Sequence, residues 1–228
     1  MSDGSKPFMV TSMLEANLYQ LDRMDGYNLN TLVRQIAGAL ALAHSVGIGH
    51  YNLKPQNILL GHSNGGLNIY VSDYMNYIQP PEMLLKYLGR HDLSYIDPLQ
   101  LIDPLGRPDP RYDVYSYASI MMLLHEHKHS LCIRAVNMAL ALQLYGIEYD
   151  MNINGQALSV YKSLLKMIES AKPERALSRI NRDYKSCIGN EMHTITGGLR
   201  KLLMQSLSLN REDRPRTMID VALTVRAI

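Results

Sequence analysis

The chain has 228 residues, of which 46% are hydrophobic and 19% are charged. This length and apolar content suffice for one compact core, and no long Pro-, Gly- or Ser-rich linker interrupts the chain, so we expect a single domain over 1–228 with a flexible start at 1–7. The net charge of +2 does not suggest a nucleic-acid partner, and no apolar stretch is long enough for a membrane span.

The chain contains two cysteines, Cys132 and Cys187. They fit neither a disulfide framework nor a C-x-x-C metal site. The amino terminus also lacks the basic and apolar pattern of a secretory signal. These features favour a cytoplasmic protein.

The first half of the chain predicts one helix and one hairpin. Asn28 can cap a helix that ends near Gly47, where a left-handed backbone is easy. Two β-prone runs, 57–60 and 67–71, flank the glycine-rich segment 61–66 and predict a β-hairpin. The helix is indicated by apolar residues at three- to four-residue spacing, namely Leu32, Val33, Ile36, Leu40 and Ala43.

The second half predicts a long loop followed by helices. Prolines at 80, 81, 98, 104, 108 and 110 argue against regular helix over much of 73–111. Residues 114–124 are apolar on nearly every helical face, which predicts a helix surrounded by protein. Further helices are expected at 133–144, 157–170, 195–207 and 218–228. The predicted fold class is mainly α with a small β-hairpin.

A segment next to the hairpin carries a specific motif. Residues 50–60 read H-Y-N-L-K-P-Q-N-I-L-L and resemble the catalytic loop of protein kinases, which is His-Arg-Asp-Leu-Lys-Pro-x-Asn before a short strand. An amphipathic helix precedes this segment, and the hairpin leads to residues 73–75, where the family has Asp-Phe-Gly. The order of these features agrees with the family.

The resemblance continues towards the carboxyl terminus. Residues 95–99 look like a degenerate end of the activation segment, and Asp113 stands where the buried central helix of the family begins. Arg214 resembles the closing arginine of the family. The interval between Asp113 and Arg214 is longer than usual, so we expect a helical insertion within 130–190. The resemblance thus implies a kinase-like carboxy-terminal lobe.

Several departures from the family imply loss of activity. Asn52 occupies the position of the catalytic aspartate, and an amide cannot accept the substrate proton as a carboxylate can. Residues 9–18 resemble the hinge between lobes, which leaves no room for the phosphate-gripping parts of the amino-terminal lobe, so that lobe is expected to be absent. Tyr51 replaces an arginine, and Leu99 replaces the glutamate that would pair with Arg214, so regulation through the activation segment is not expected.

The remaining family positions are expected to be structural. By resemblance, Asp113 accepts hydrogen bonds from the backbone around His50 and Tyr51, and Arg214 has an architectural role. No catalytic residue is expected, and the degenerate loop positions are His50, Asn52, Lys54 and Asn57. Asn57 and Asp73 could contact a nucleotide or magnesium, but structural retention is favoured.

The resulting hypothesis is a catalytically inactive, pseudokinase-like scaffold without a cofactor. It would bind another protein over the exposed hinge and hairpin, with no nucleic acid or membrane involved. One alternative is a nucleotide-binding or weakly active Ser/Thr-type kinase fragment, which would need an amino-terminal lobe, ATP and magnesium.

A second alternative is a zinc hydrolase. His125, Glu126 and His129 match H-E-x-x-H, the zinc-protease motif, and His193 could be imagined as a third ligand. The polar end of a buried helix explains this match better. A basic set is likewise interpreted as a solvated helix face and not as an anion site; it consists of Lys162, Lys166, Lys172 and Arg175.

Overall fold

The computed structural model describes residues 14, 16–20, 28–63, 66–74, 92–104, 106–149 and 152–228, except for the side chains of residues 62 and 63. The flexible start predicted at 1–7 lies outside these residues. So do most of the hinge-like segment 9–18 and much of the predicted loop 73–111.

The described residues form a mainly helical fold with a small antiparallel sheet. The strands, in the order β1-β2-β3, are β1 Ala16–Asn17, β2 Ile58–Ser63 and β3 Gly66–Val71. The α-helices are α1 Leu29–Ser45, α2 Pro98–Ile102, α3 Arg111–Glu126, α4 Leu131–Tyr145, α5 Gly155–Ser170, α6 Pro173–Glu191, α7 Gly197–Ser206 and α8 Met218–Ala227. No helix in the described ranges is both long and apolar enough to cross a bilayer.

Helix α1 forms where the sequence predicts it. The Asn28 side chain accepts a hydrogen bond from the Thr31 N–H at 3.2 Å, which satisfies one free donor of the first turn. Gly47 follows the helix with a φ of +77°. The stripe of apolar side chains faces the core, and α1 packs against α8 and β3. Local signals therefore determine both ends of this helix.

The predicted hairpin is confirmed, and its strands are longer than expected. Strands β2 and β3 pair antiparallel from Ile58 opposite Val71 to Ser63 opposite Gly66. The glycine-rich segment 61–66 therefore contributes to the ladder, because its residues up to Ser63 continue the pairing that the apolar run begins. Strand β1 adds to the other edge of β2, with Ala16 opposite Leu60.

Helix α3 is the central helix of the core, as its apolar pattern predicts. From Tyr112 to Met122 every residue is buried. The Tyr117 hydroxyl donates to the Val33 carbonyl at 3.1 Å, which satisfies a polar group that burial would otherwise leave unpaired. Helices α1, α7 and α8 pack around it.

Two helices differ from the sequence prediction. Pro98 is the first residue of α2, a position where proline is tolerated because that N–H has no helical partner; the expectation of loop at this point is wrong. Helix α6 has 19 residues and is the longest of the described helices; the sequence analysis gave it no bounds of its own and covered it only by the helical insertion expected within 130–190. Its many charged residues obscured the buried positions, which recur at three- to four-residue spacing: Ala176, Leu177, Ile180, Tyr184, Cys187 and Ile188.

The cysteines also depart from the prediction. Cys132 in α4 and Cys187 in α6 form a disulfide, with their Cα atoms 6.0 Å apart. The expectation that these cysteines form no disulfide is therefore wrong, because their pairing depends on the packing of two helices far apart in sequence. The cytoplasmic location stays a prediction, and a disulfide would be unusual there because cytosolic thiols are kept reduced.

Reduction of this disulfide should destabilise the fold. The bond closes a loop of 55 residues, and the loss of that constraint on the unfolded chain corresponds to about 4 kcal/mol in the loop-entropy model. Denaturant unfolding with and without a thiol reductant measures the effect. The double variant Cys132→Ala, Cys187→Ala should unfold earlier and be insensitive to the reductant. Equal midpoints of the parent chain under both conditions would contradict the prediction.

Candidate functional site

A buried carboxylate holds the start of the kinase-like loop, residues 50–57. Asp113 lies in the first turn of α3 and is fully buried. Its Oδ2 accepts from the His50 N–H and its Oδ1 from the Tyr51 N–H, both at 2.7 Å. His44 Nε2 donates to Oδ2 at 2.8 Å, because His44 Nδ1 accepts the Met218 N–H at 3.1 Å. Asp113 thus links α3 to the loop and to His44 of α1, and His44 extends the connection to the start of α8.

The His50 ring connects the loop to the end of β3. Its Nδ1 accepts from the Asn52 N–H at 3.2 Å, so its Nε2 donates to the Ser72 carbonyl at 2.8 Å. Burial lowers the pKa of His50, although Asp113 opposes that shift. The imidazole is therefore a neutral, structural group at pH 7.

Asn57 fixes the other end of the loop. Its side-chain Nδ2 donates to the Asn52 carbonyl at 3.0 Å, and its own backbone carbonyl accepts from the Ser72 N–H at 2.9 Å. The second bond brings Asp73, the next residue, to the same end of the hairpin as Asn57. The Lys54 carbonyl accepts the Asn57 N–H at 2.9 Å.

The backbone of this region is strained at two residues. Tyr51 and Asp73 both have a φ of 58°, a left-handed conformation that costs a non-glycine residue about 1–2 kcal/mol. Such residues cluster at functional sites, where surrounding contacts hold them. The Tyr51 ring lies so close to Gly49 that a Cβ there would be 2.1 Å from a ring carbon. Gln100 in α2 donates to the Tyr51 carbonyl at 2.8 Å.

Arg214 has a carboxylate partner, although Leu99 stands where the resemblance places a glutamate. Asp97 forms the ion pair, and both charged side chains are fully buried. Arg214 also donates from Nε to the Ser208 carbonyl at 2.7 Å, and its guanidinium lies 4.9 Å from the centre of the Tyr115 ring. Asp97 is held in place as the partner of Arg214 because it caps α2: its Oδ1 accepts the Leu99 N–H at 2.8 Å.

The sequence analysis missed residues that hold the segment around Asp97. Asn137 in α4 donates from Nδ2 to the Leu93 carbonyl at 2.8 Å and to the Ile96 carbonyl at 2.9 Å. Tyr145, also in α4, donates to the Leu101 carbonyl. An aspartate before a proline is a helix-start signal that could have identified Asp97. No sequence signal identifies Asn137, because its partners lie far away in the chain.

The H-E-x-x-H match does not form the zinc-protease geometry. Helix α3 ends at Glu126, and the next residue, His127, is left-handed with a φ of 53°, so His125 and His129 are not one turn apart on a helix. The Glu126 carboxylate accepts the Thr194 N–H at 2.8 Å. The described part of the chain contains no group of three His, Cys, Asp or Glu side chains suited to a metal ion.

Removal of the Asp113 carboxylate should destabilise the protein strongly. Asp113→Ala leaves its buried donors unpaired, each at about 1–3 kcal/mol, so we expect a loss of at least about 3 kcal/mol. Asp183→Ala, which removes an exposed carboxylate, is the matched control and should stay within about 0.5 kcal/mol of the parent. Denaturant unfolding of the three proteins measures both effects. Equal stability of Asp113→Ala and the parent would refute the assigned role.

The half-buried His125 should make stability depend on pH. Its Nε2 is buried without a hydrogen-bond partner, and burial lowers its pKa from the ordinary 6.5. The unfolded chain therefore binds more protons below pH 6.5, and the free energy of unfolding falls as the pH falls.

His125→Phe should weaken this pH dependence between pH 6.5 and 5 and change stability at pH 7 by less than about 1.5 kcal/mol, because the ring size is kept. Part of the pH dependence should remain in this variant, because the pKa of His50 is also lowered. Replacement of the exposed His127 by Asn is the control, and unfolding curves across this pH range are the measurement. An unchanged pH dependence in His125→Phe would contradict the prediction.

Comparison with known proteins gives a partial match to protein kinases. No family model matches the chain. The serine/threonine-protein kinase PknL of Mycobacterium tuberculosis is 29% identical over 119 residues, which is 50% of this chain and 29% of that protein. The human ankyrin repeat and protein kinase domain-containing protein 1 is 29% identical over 104 residues, which is 42% of this chain and 13% of that protein.

The chain therefore spans less than a third of the length of the curated relatives that it matches. The matches cover about half of this chain or less. They support a distant, kinase-like relationship.

Proposed function

We propose that this chain is a catalytically inactive, pseudokinase-like domain that acts by binding another protein. The proposal rests on an ordered loop in which an asparagine stands where the resemblance places the catalytic carboxylate. Asp113 fixes the loop backbone at His50 and Tyr51, and Asn57 donates to the Asn52 carbonyl. Asn52 stands where the resemblance puts the proton acceptor, and its amide has no basic oxygen for that task.

Several buried polar contacts favour a rigid framework for binding. The ion pair between Asp97 and Arg214 fixes the segment that resembles the activation-segment end, and Gln100 joins that segment to Tyr51. The chain forms these contacts by itself, without a modified side chain or a bound group. A framework of this kind can present a surface to a partner although it lacks a proton acceptor.

The surface beside the sheet fits a protein partner. Tyr19, just after β1, is 45% exposed, and Tyr70 in β3 is 46% exposed. Tyrosine is enriched in protein interfaces because it combines a large apolar ring with a polar hydroxyl. Strands β1 and β3 are the two edges of the described sheet. The proposed partner surface therefore includes the hairpin and the end of the hinge-like segment.

Nucleotide binding is the second candidate function. Its supporting observation is that the bond from the Ser72 N–H to the Asn57 carbonyl brings Asp73 next to Asn57. Amide and carboxylate oxygens are suitable magnesium ligands. In this alternative the chain would be a nucleotide-binding or weakly active kinase fragment that works with an amino-terminal lobe.

A phosphotransfer assay tests the proposal. The parent chain, incubated with labelled ATP, magnesium and generic protein substrates, should transfer no more phosphate than the Asn52→Ala variant, because neither has a carboxylate at this position. An active protein kinase is the positive control. Robust transfer by the parent that Asn52→Ala abolishes would overturn the proposal. A rise in melting temperature with ATP and magnesium that Asp73→Ala removes, without transfer, would favour the nucleotide-binding alternative.

A further inference from the structure

Helices α5 and α6 form an antiparallel pair. Gln156, near the start of α5, hydrogen bonds Ser186 at 3.3 Å and Asn190 at 2.9 Å, and both partners lie near the end of α6. The two helices pack along each other, and α5 also packs on α4. The end of α5 therefore lies beside the start of α6.

A row of arginines follows the line of contact between these helices. Arg175, Arg179 and Arg182 are exposed, and their spacing of four and three residues puts them on one face of α6. Ser186 continues the same row, and it is the residue that contacts Gln156 on α5. The arginine row therefore borders the contact between α5 and α6.

The neighbouring row on α5 has no negative charge. It contains Gln156, Ser159, Ser163, Lys166 and Ser170, all of which are exposed. Their spacing of three and four residues again defines one face. Neither row contains a carboxylate, and the exposed carboxylates elsewhere on the two helices, Glu169, Glu174 and Asp183, are fewer than the exposed cations. The two rows therefore form a surface of net positive charge with hydroxyl groups between the charges.

We call the surface formed by Lys166, Arg175, Arg179 and Arg182 the seam surface. Within the described ranges none of these four residues makes an ion pair. Arg34, Lys201 and Arg226 are also exposed without an ion pair in the described ranges, but they lie on three different helices, α1, α7 and α8. The seam surface differs from them because it gathers four such cations on one helix pair.

We propose that the seam surface binds an acidic segment of a partner protein. Arg175 and Arg182 are seven residues apart, which is about 10 Å along the helix, and an extended peptide covers that length with about three residues. Arginine suits carboxylates because its guanidinium donates two parallel hydrogen bonds. The hydroxyl groups between the charges can donate further hydrogen bonds to such a segment.

Other anionic partners fit the seam surface less well. A nucleic-acid duplex usually contacts proteins through more phosphates than four cations can meet, and single strands need exposed aromatic rings for stacking. A membrane surface calls for exposed apolar side chains beside the cations. On α5 and α6, both fully described, no large apolar side chain is exposed. This surface is separate from the sheet, and the inference does not depend on the proposed function.

A binding assay with a short acidic peptide tests the inference. A fluorescent octaglutamate peptide is titrated with the full chain, and its anisotropy is measured at low and at physiological salt. The variant Arg175→Gln, Arg179→Gln, Arg182→Gln should bind about tenfold more weakly or worse, since each exposed ion pair contributes up to about 1 kcal/mol. The matched control, Arg34→Gln, Lys201→Gln, Arg226→Gln, removes the same charge from exposed positions on other helices and should bind like the parent.

Three results would overturn the inference: no binding of the peptide by the parent, an equal loss in both triple variants, or tighter binding of a duplex RNA or of phosphatidylserine vesicles than of the peptide. Equal melting temperatures of the three proteins establish that a loss of binding is not a loss of fold. A positive phosphotransfer assay would overturn the proposed function and leave this inference standing.

Discussion

The fold depends on the buried carboxylate of Asp113. A buried charge without partners would be very costly, and here two backbone N–H groups of the loop and the ring of His44 surround it. His44 in turn accepts the Met218 N–H at the start of α8. The carboxylate thus sets the position of the loop, of α1 and of α8 relative to the central helix. Tyr51 can keep its strained backbone because these contacts hold it.

The pair of Asp97 and Arg214 shows how the fold satisfies a second buried charge. Removal of one partner of such a pair typically costs about 3–5 kcal/mol, because the other charge stays buried and unpaired. Leu99 stands where the resemblance places a glutamate, and the carboxylate comes from Asp97, two residues earlier, at the cap of α2. The physical requirement for a carboxylate beside the buried Arg214 is thus met.

These contacts bear on the proposed function. Most polar groups that packing buries in the loop have a partner: the His50 ring binds Asn52 and Ser72, and Asn57 binds the Asn52 carbonyl, whereas the Gln56 Oε1 is buried without one. Asn52 stands where the resemblance places the residue that exchanges a proton. We therefore propose that this ordered loop serves recognition and not proton transfer. The seam surface on α5 and α6 lies outside this loop, and it is the second surface that we propose for binding a partner.

The sequence by itself determined the elements whose signals are local. The cap at Asn28, the apolar spacing of α1, the all-round apolar character of α3 and the β-prone runs of the hairpin each act within a few residues. The position of Asp113 at the start of the central helix also followed from a short motif.

Tertiary structure decided the remaining features, because each of them depends on contacts between residues that are distant in the chain. Asp97 and Arg214 are 117 residues apart, and Cys132 and Cys187 are 55 apart; no spacing rule predicts that either pair will meet. The bounds of helix α6 could not be predicted, because its exposed charges hid a buried stripe that only its packing reveals. That its arginines border α5 likewise depends on how the two helices pack.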